Sequence, residues 1–202
     1  MRKIIRKILS AAKRPAKLID NRFHKLFAME NDFLGNPLRG DRCVEFAFVT
    51  EQLVSLPKKF SVLDIGSTDS PLTTIVSTLG FNTVHGIDLL PSPTTFRKVK
   101  FIRGDFLNNE LTQKELLPQY DIIILCSTIE HFGLERYSGQ EIINNNIQTA
   151  DIQCLMKIRK MLKTDGRLVL TIPYGREKII FPYHRVYNKS GPMMDFLLKN
   201  FS

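Results

Sequence analysis

Between Lys59 and Ile172 short apolar runs alternate with helix-like stretches, and this alternation constrains the fold more than any other feature of the chain. Residues 60–65 read as a buried strand. Ser70-Pro71 then sets a capping side chain before a proline, a pair that opens helices. Residues 72–79 supply the helix, and Gly80 ends it. Residues 83–87 and 100–103 read as the second and third strands. Residues 120–126, with Ile122, Ile123, Ile124 and Leu125 in succession, read as a fourth strand buried on both faces. A helix over 151–162 stops near Asp165-Gly166, a fifth strand follows over 167–172, and a last helix over 193–200. The pattern predicts an α/β fold: a Rossmann-like, doubly wound, mainly parallel sheet with helices on both faces.

In such sheets ligands bind beyond the carboxyl ends of the strands. Four predicted strand ends carry residues suited to one nucleoside-like ligand. After the first strand come Asp64, Gly66, Ser67 and Thr68, a polar turn entering a helix. Gly66 permits a tight turn, and the helix start offers unpaired N–H groups to an anion. Asp88 ends the second strand, followed by Leu89, and a carboxylate there can accept both hydroxyls of a ribose. Asp105 follows the third strand and can accept from an exocyclic amine, while Phe106 can cover a ring face. Ser127, Thr128, Glu130 and His131 follow the fourth.

Charge sets the N-terminal region apart. Residues 1–25 hold nine Lys and Arg against Asp20 alone, so +8 of the net +9 lies there and the other 177 residues carry +1. The near-neutral body argues against an extended phosphate-binding face. Residues 1–40 read as a basic amphipathic helical arm, and 41–202 as the folded domain. Three uses of the arm stay open: packing on its own domain, contact of residues 1–27 with an anionic membrane surface, or a nucleic-acid tether or transit segment. No run of 18 apolar residues is present, and charges interrupt the first apolar stretch, which argues against a membrane span or a secretory signal. Cys43, Cys126 and Cys154 are odd in number and far apart, with no metal-ligand spacing; they read as free thiols in a reducing, cytoplasmic compartment, and no metal is expected.

The four segments, with the stretch from Met161 to Pro173 at the fifth strand, resemble the class I S-adenosylmethionine-dependent methyltransferases over about residues 43–187. The stretch beginning Ser127-Thr128-Ile129-Glu130-His131-Phe132, Asp151, and the pair Ile172-Pro173 and His184-Arg185-Val186-Tyr187 are similar to a subgroup of bacterial methyltransferase-like proteins associated with surface-glycan synthesis. The resemblance implies S-adenosyl-L-methionine as cofactor. Asp64, Gly66, Ser67 and Thr68 then lie under its methionine part, Asp88 and Leu89 at its ribose, Asp105 and Phe106 at its adenine, and Ser127 and Thr128 along the methyl-facing wall. It implies methyl transfer to a small-molecule or glycan acceptor, taken here as a hydroxyl. A hydroxyl must lose a proton, so His131 is the first candidate base, with Glu130 orienting it or replacing it. Tyr174, His184, Arg185 and Tyr187 would frame the acceptor.

The chain departs from the family pattern twice. Thr68 and Ser70 stand where the family's loop has its second and third glycines. The family's sheet also closes with an antiparallel strand pair after the final helix, whereas this chain stops at Phe201-Ser202; that pair is expected to be missing, which leaves the fifth strand an open edge suited to homodimer pairing. A degenerate methyltransferase-fold scaffold without turnover is therefore the alternative. A nicotinamide-dependent oxidoreductase fails on the glycine pattern. An RNA methyltransferase, and nucleic-acid binding in general, is disfavoured by the neutral body.

Overall fold

In the computed structural model of the chain, residues 42–67, 71–91, 98–134 and 149–201 are described. The chain divides into two units between Arg39 and Gly40, and all the described residues belong to the second. The basic arm expected over 1–40, Thr68 and the Ser70 cap lie outside the described residues.

The second unit opens with helix α1 (Arg42–Val54), followed by β1 (Ser61–Ile65), α2 (Leu72–Thr78), β2 (Thr83–Asp88) and β3 (Val99–Arg103). Then come α3 (Asn109–Glu115), β4 (Tyr120–Cys126), a 3-10 turn (Ile129–His131), α4 (Ala150–Met161) and β5 (Leu162–Thr171). A hairpin of β6 (Lys178–Ile180) and β7 (His184–Val186) and helix α5 (Pro192–Asn200) complete it. The first five strands form one parallel sheet in the order β3-β2-β1-β4-β5; β6 and β7 pair antiparallel in a separate two-stranded sheet. This is the expected α/β, Rossmann-like sheet.

Side-chain alternation along each strand explains the two layers of helix. Leu63, Ile65, Ile123 and Leu125 belong to a core that also takes in Cys154, Leu155 and Ile158 of α4. Alternate residues point to the other face, where Asp64 meets Thr73 of α2. That face also receives α1, which contacts α2, β4 and β5. Every residue of β1 is buried, as are six of the seven in β4, which is why both read as unbroken apolar runs.

Two departures from the sequence reading have local causes. Helix α1 was not anticipated; its buried Phe46, Val49 and Leu53 recur at helical spacing, but Val44, Phe48 and Val54 are exposed and blur the stripe. Strand β5 begins at Leu162, not at residue 167. Leu162 pairs with Tyr120 directly after α4 ends, and the ladder resumes only at Ile122 and Arg167. The expected stop at Asp165-Gly166 is thus a bulge inside the strand, with Asp165 at φ +50°.

Candidate functional site

The carboxyl ends of β3, β2 and β1 lie side by side, which brings Asp105, Asp88 and Gly66 along one edge of the sheet. Backbone bonds tie these tips together: Gly66 N–H donates to the Ile87 carbonyl at 2.9 Å and Gly104 N–H to the Asp88 carbonyl at 2.7 Å. Asp88 accepts from Leu90 N–H at 2.9 Å, and Asp105 accepts from Leu107 N–H at 2.8 Å. Each bond closes a local turn and fixes the orientation of its carboxylate. Leu89 and Leu90, beside Asp88, are partly exposed apolar side chains.

Around β1 the packing is tighter than the sequence implied. Gly66 sits at φ +82°, as a turn glycine does, and a Cβ there would also overlap the side chain of Thr128. The close approach at this glycine is therefore made by the tip of β4. Ser67 is buried over Gly86, and its Oγ has no hydrogen-bond partner among the described residues. Asp64 lies fully buried and accepts from Thr73 Oγ1. Burial pushes its carboxyl up to about 7, the Thr73 hydrogen bond pulls against that, and the charge of Asp88 adds to the rise.

Phe106, assigned by resemblance to a ligand ring, is buried in the core. Its ring meets Phe132 edge-on at 6.5 Å, with the Lys157 ammonium 5.1 Å from its centre.

At the tip of β4 the backbone is strained. Ser127 has φ +47°, a left-handed value that costs a non-glycine residue about 1 kcal/mol or more. It is held there by hydrogen bonds: its N–H donates to Thr171 Oγ1 at 2.9 Å, its Oγ donates to Glu45 Oε1, and Thr171 Oγ1 donates to the same oxygen at 2.8 Å. Glu45 thus fastens α1 to the ends of β4 and β5. Sequence reasoning passed over Glu45 and Arg42 because it passed over their helix; the Phe46, Val49, Leu53 spacing was the signal to find them.

The 3-10 turn carries the two expected proton-transfer residues. Glu130 is 2% exposed, and its Oε2 has no hydrogen-bond partner among the described residues. Burial pushes its carboxyl up to about 7, against a hydrogen bond from its own backbone, and the Glu45 charge adds to the rise. Glu130 Oε1 lies 3.8 Å from His131 Nε2. His131 Nδ1 lies 2.6 Å from the Tyr183 carbonyl. A carbonyl only accepts, so Nδ1 carries the hydrogen and the neutral ring has its lone pair at Nε2, toward Glu130.

The four residues expected to frame an acceptor divide into two kinds. Tyr174 is 70% exposed, and His184 is half-buried with its ring centre 6.3 Å from that of His131. Arg185 and Tyr187 are instead buried. Arg185 donates to the carbonyls of Glu130 at 3.2 Å and Phe132 at 2.6 Å, and its Nε lies 3.8 Å from Asp151 Oδ2. Tyr187 OH donates to the same Asp151 oxygen at 3.1 Å. These bonds tie the hairpin to the 3-10 turn and to the start of α4.

Among the described residues no group of three or more His, Cys, Asp or Glu is arranged to hold a metal, and Cys43, Cys126 and Cys154 are thiols. Among the same residues no helix is long and apolar enough to cross a membrane.

Comparison with known proteins gives three findings. A family model described as "Caenorhabditis protein of unknown function, DUF268" matches residues 99–201. Among solved structures, the chain is similar to Burkholderia thailandensis 1,6-didemethyltoxoflavin-N1-methyltransferase, crystallised with 1,6-didemethyltoxoflavin and S-adenosylhomocysteine: TM-score 0.56, 15% identity, 93% of this chain and 78% of that one covered. At that identity the likeness establishes the fold. A ribosomal RNA methyltransferase, putative by its own description, from Plasmodium falciparum aligns over 64% of this chain and 75% of its own at 15% identity, with a TM-score of 0.45 that carries no weight. No curated protein sequence matches the chain.

Proposed function

The chain belongs to the DUF268 family, whose description assigns no activity, and from that premise we propose that it is an S-adenosyl-L-methionine-dependent methyltransferase acting on a small-molecule or glycan hydroxyl. The observation that carries this reading is the row of adjacent strand tips bearing Gly66, Asp88 and Asp105, with Glu130 and His131 following the neighbouring strand. The residues fit the cofactor: Asp88 offers a turn-fixed carboxylate to ribose hydroxyls, Leu89 an apolar surface to the base, and Asp105 an acceptor for an exocyclic amine. Asp64 shapes the turn at Gly66 from beneath. Ser127 and Thr128 bound the methyl-facing side.

When bound, the cofactor supplies a methyl group on a sulfonium sulfur, so the protein's work is orientation and proton removal. The charges of Asp88 and Glu45, joined by Asp64 and Glu130 once these ionise above about pH 7, favour a cationic centre over a neutral one. His131, with Nδ1 held by the Tyr183 carbonyl, presents Nε2 as the base, and exposed Tyr174 and half-buried His184 flank the acceptor's approach.

Calorimetric titration of the full chain with S-adenosylhomocysteine tests the reading. Binding is expected, and Asp88→Ala weakens it at least about tenfold while the circular dichroism spectrum is unchanged. A folded protein that takes up no heat with either S-adenosylhomocysteine or S-adenosylmethionine removes the proposal. A binding scaffold without turnover is the second reading, favoured by Thr128 filling the space in front of Gly66. It predicts cofactor binding with no methyl transfer to any acceptor offered. Contact of residues 1–27 with anionic vesicles and pairing of two copies along β5 belong to the same proposal; vesicle cosedimentation and sedimentation velocity test them.

A further inference from the structure

We propose that the β6–β7 hairpin is a working part of the proton-transfer site: Arg185, through the carbonyls of Glu130 and Phe132, and the Tyr183 carbonyl, through His131 Nδ1, hold the Glu130 carboxyl and the His131 imidazole against each other. This rests on the methyltransferase reading of the same site and gives the hairpin a role in it. Arg185, Tyr183, Asp151 and Tyr187 are positioning residues; none is assigned to the reacting atoms.

The argument begins with where buried polar groups go. Arg185 is 4% exposed, and a guanidinium is rarely buried unless it is paired. Its Nη1 donates to the carbonyls of Glu130, in the 3-10 turn, and of Phe132, directly after it, and its Nε lies within ion-pair reach of Asp151. Three residues of 3-10 helix have little hydrogen bonding of their own to fix them, so an outside clamp decides their orientation. The clamped turn carries the one buried carboxyl oxygen that has no hydrogen-bond partner among the described residues, Glu130 Oε2. A buried group without a partner is costly, and it persists where the surroundings hold it in place.

The second contact sets the imidazole. With Nδ1–H committed to the Tyr183 carbonyl, the neutral ring can accept only at Nε2, which faces Glu130 Oε1 across 3.8 Å. That separation is within ion-pair reach and beyond a direct hydrogen bond. A bound S-adenosyl-L-methionine would supply the methyl group, its sulfur leaving with the C–S bonding pair as the acceptor oxygen formed the new C–O bond. The hydroxyl proton moves to His131 Nε2, and the Glu130 carboxylate stabilises the resulting imidazolium.

The charged groups facing this pair come from every neighbouring element. Arg42 and Glu45 reach it from α1, Arg185 and His184 from β7, and Asp151 lies behind Arg185 on α4. Tyr187 feels the Glu130 charge from beyond the hairpin. Glu45 opposes the Glu130 charge and Arg42 supports it, so burial and the clamp decide the balance.

The test follows the Glu130 carboxyl by carbon-detected NMR as pH is varied, in the full chain, with no methyl acceptor needed. The wild-type carboxyl is expected to titrate near 7. Arg185→Lys keeps the charge but loses the planar guanidinium that sets Nη1 between both carbonyls and Nε toward Asp151; it is expected to lower that midpoint by about one unit or more as the turn loosens and water reaches the carboxyl. Asp151→Asn acts in the same direction with a smaller shift. S-adenosylhomocysteine affinity, set at the other strand tips, is expected to stay within about twofold. A wild-type midpoint near the ordinary 4.5, or a midpoint unmoved in folded Arg185→Lys and Asp151→Asn, overturns the proposal. If Arg185→Lys gives no cooperative melting transition, Asp151→Asn and Tyr187→Phe decide it by the same readout. Failure of cofactor binding in the wild type sinks the methyltransferase reading and leaves the clamp to be judged by the titration alone.

Discussion

At the amino ends of the strands, polar side chains are fully served. Asp121 Oδ2 accepts from Ser61 N–H, Ser61 Oγ and Lys163 Nζ, each at 2.8 Å. Burial pushes the Asp121 carboxyl up, but the Lys163 and Ser61 hydrogen bonds outweigh it and bring it below the usual range. Nearby, Tyr120 OH accepts from Leu117 N–H at 3.0 Å and lies 2.6 Å from His85 Nδ1. The carboxyl ends of the same strands differ. Asp64 and Glu130 are buried with carboxyls near 7, Ser67 Oγ and Glu130 Oε2 have no hydrogen-bond partner among the described residues, and Ser127 is held at positive φ. One end of the sheet uses polar groups to stabilise the fold; the other carries them at a cost. Strain and unmatched polarity concentrate where a protein handles a ligand, which is why the second edge is the candidate site.

The contrast should be clearest in the response to pH. Asp64 and Glu130 hold protons in the folded chain up to about 7, whereas in the unfolded chain they lose them near 4. The folded state therefore binds more protons between those values, and stability falls as pH rises through that window. From pH 5 to 8 the unfolding free energy is expected to drop by up to about 5 kcal/mol, read from urea denaturation at each pH. Asp64→Asn, which can still accept from Thr73, should remove roughly half of that drop. A stability that climbs over the same range would erase the distinction between the two edges.

A steric test comes next in size. Gly66→Ala must adopt positive φ and displace Thr128, so it is expected to cost about 3 kcal/mol, measured as a lower denaturation midpoint with unchanged slope. A loss under about 1 kcal/mol would mean that the tips of β1 and β4 are not pressed together as described.

The smallest effect sharpens the comparison from the other side. Asp121→Asn leaves the shape but removes the charge that Lys163 meets, and should cost about 1–2 kcal/mol. Its pH signature has the opposite sign. A carboxyl lowered by folding contributes stability above its unfolded value, and that contribution disappears as pH falls through its folded value, so the mutant and wild type should converge in acid.

Much of the fold was legible because strands buried on both faces leave a pattern that needs no partner to be read: β4 was delimited at 120–126 and observed at Tyr120–Cys126. Helix α1 was missed because exposed Val44, Phe48 and Val54 mask the Phe46, Val49, Leu53 stripe. With it went Glu45, which reaches Ser127 and Thr171 from far away in the chain. The proton-transfer pair was visible as two residues, but not the clamp on it, since Arg185 meets Glu130 and Phe132 across more than fifty positions.

The sequence by itself determined the parallel α/β sheet and which residues end its strands, because hydrophobic periodicity and turn residues act over a few neighbouring positions. Only the tertiary structure decided which polar groups at those tips are satisfied and which are left buried without partners. Burial and hydrogen bonding depend on what the fold brings near, and local pattern does not contain that information.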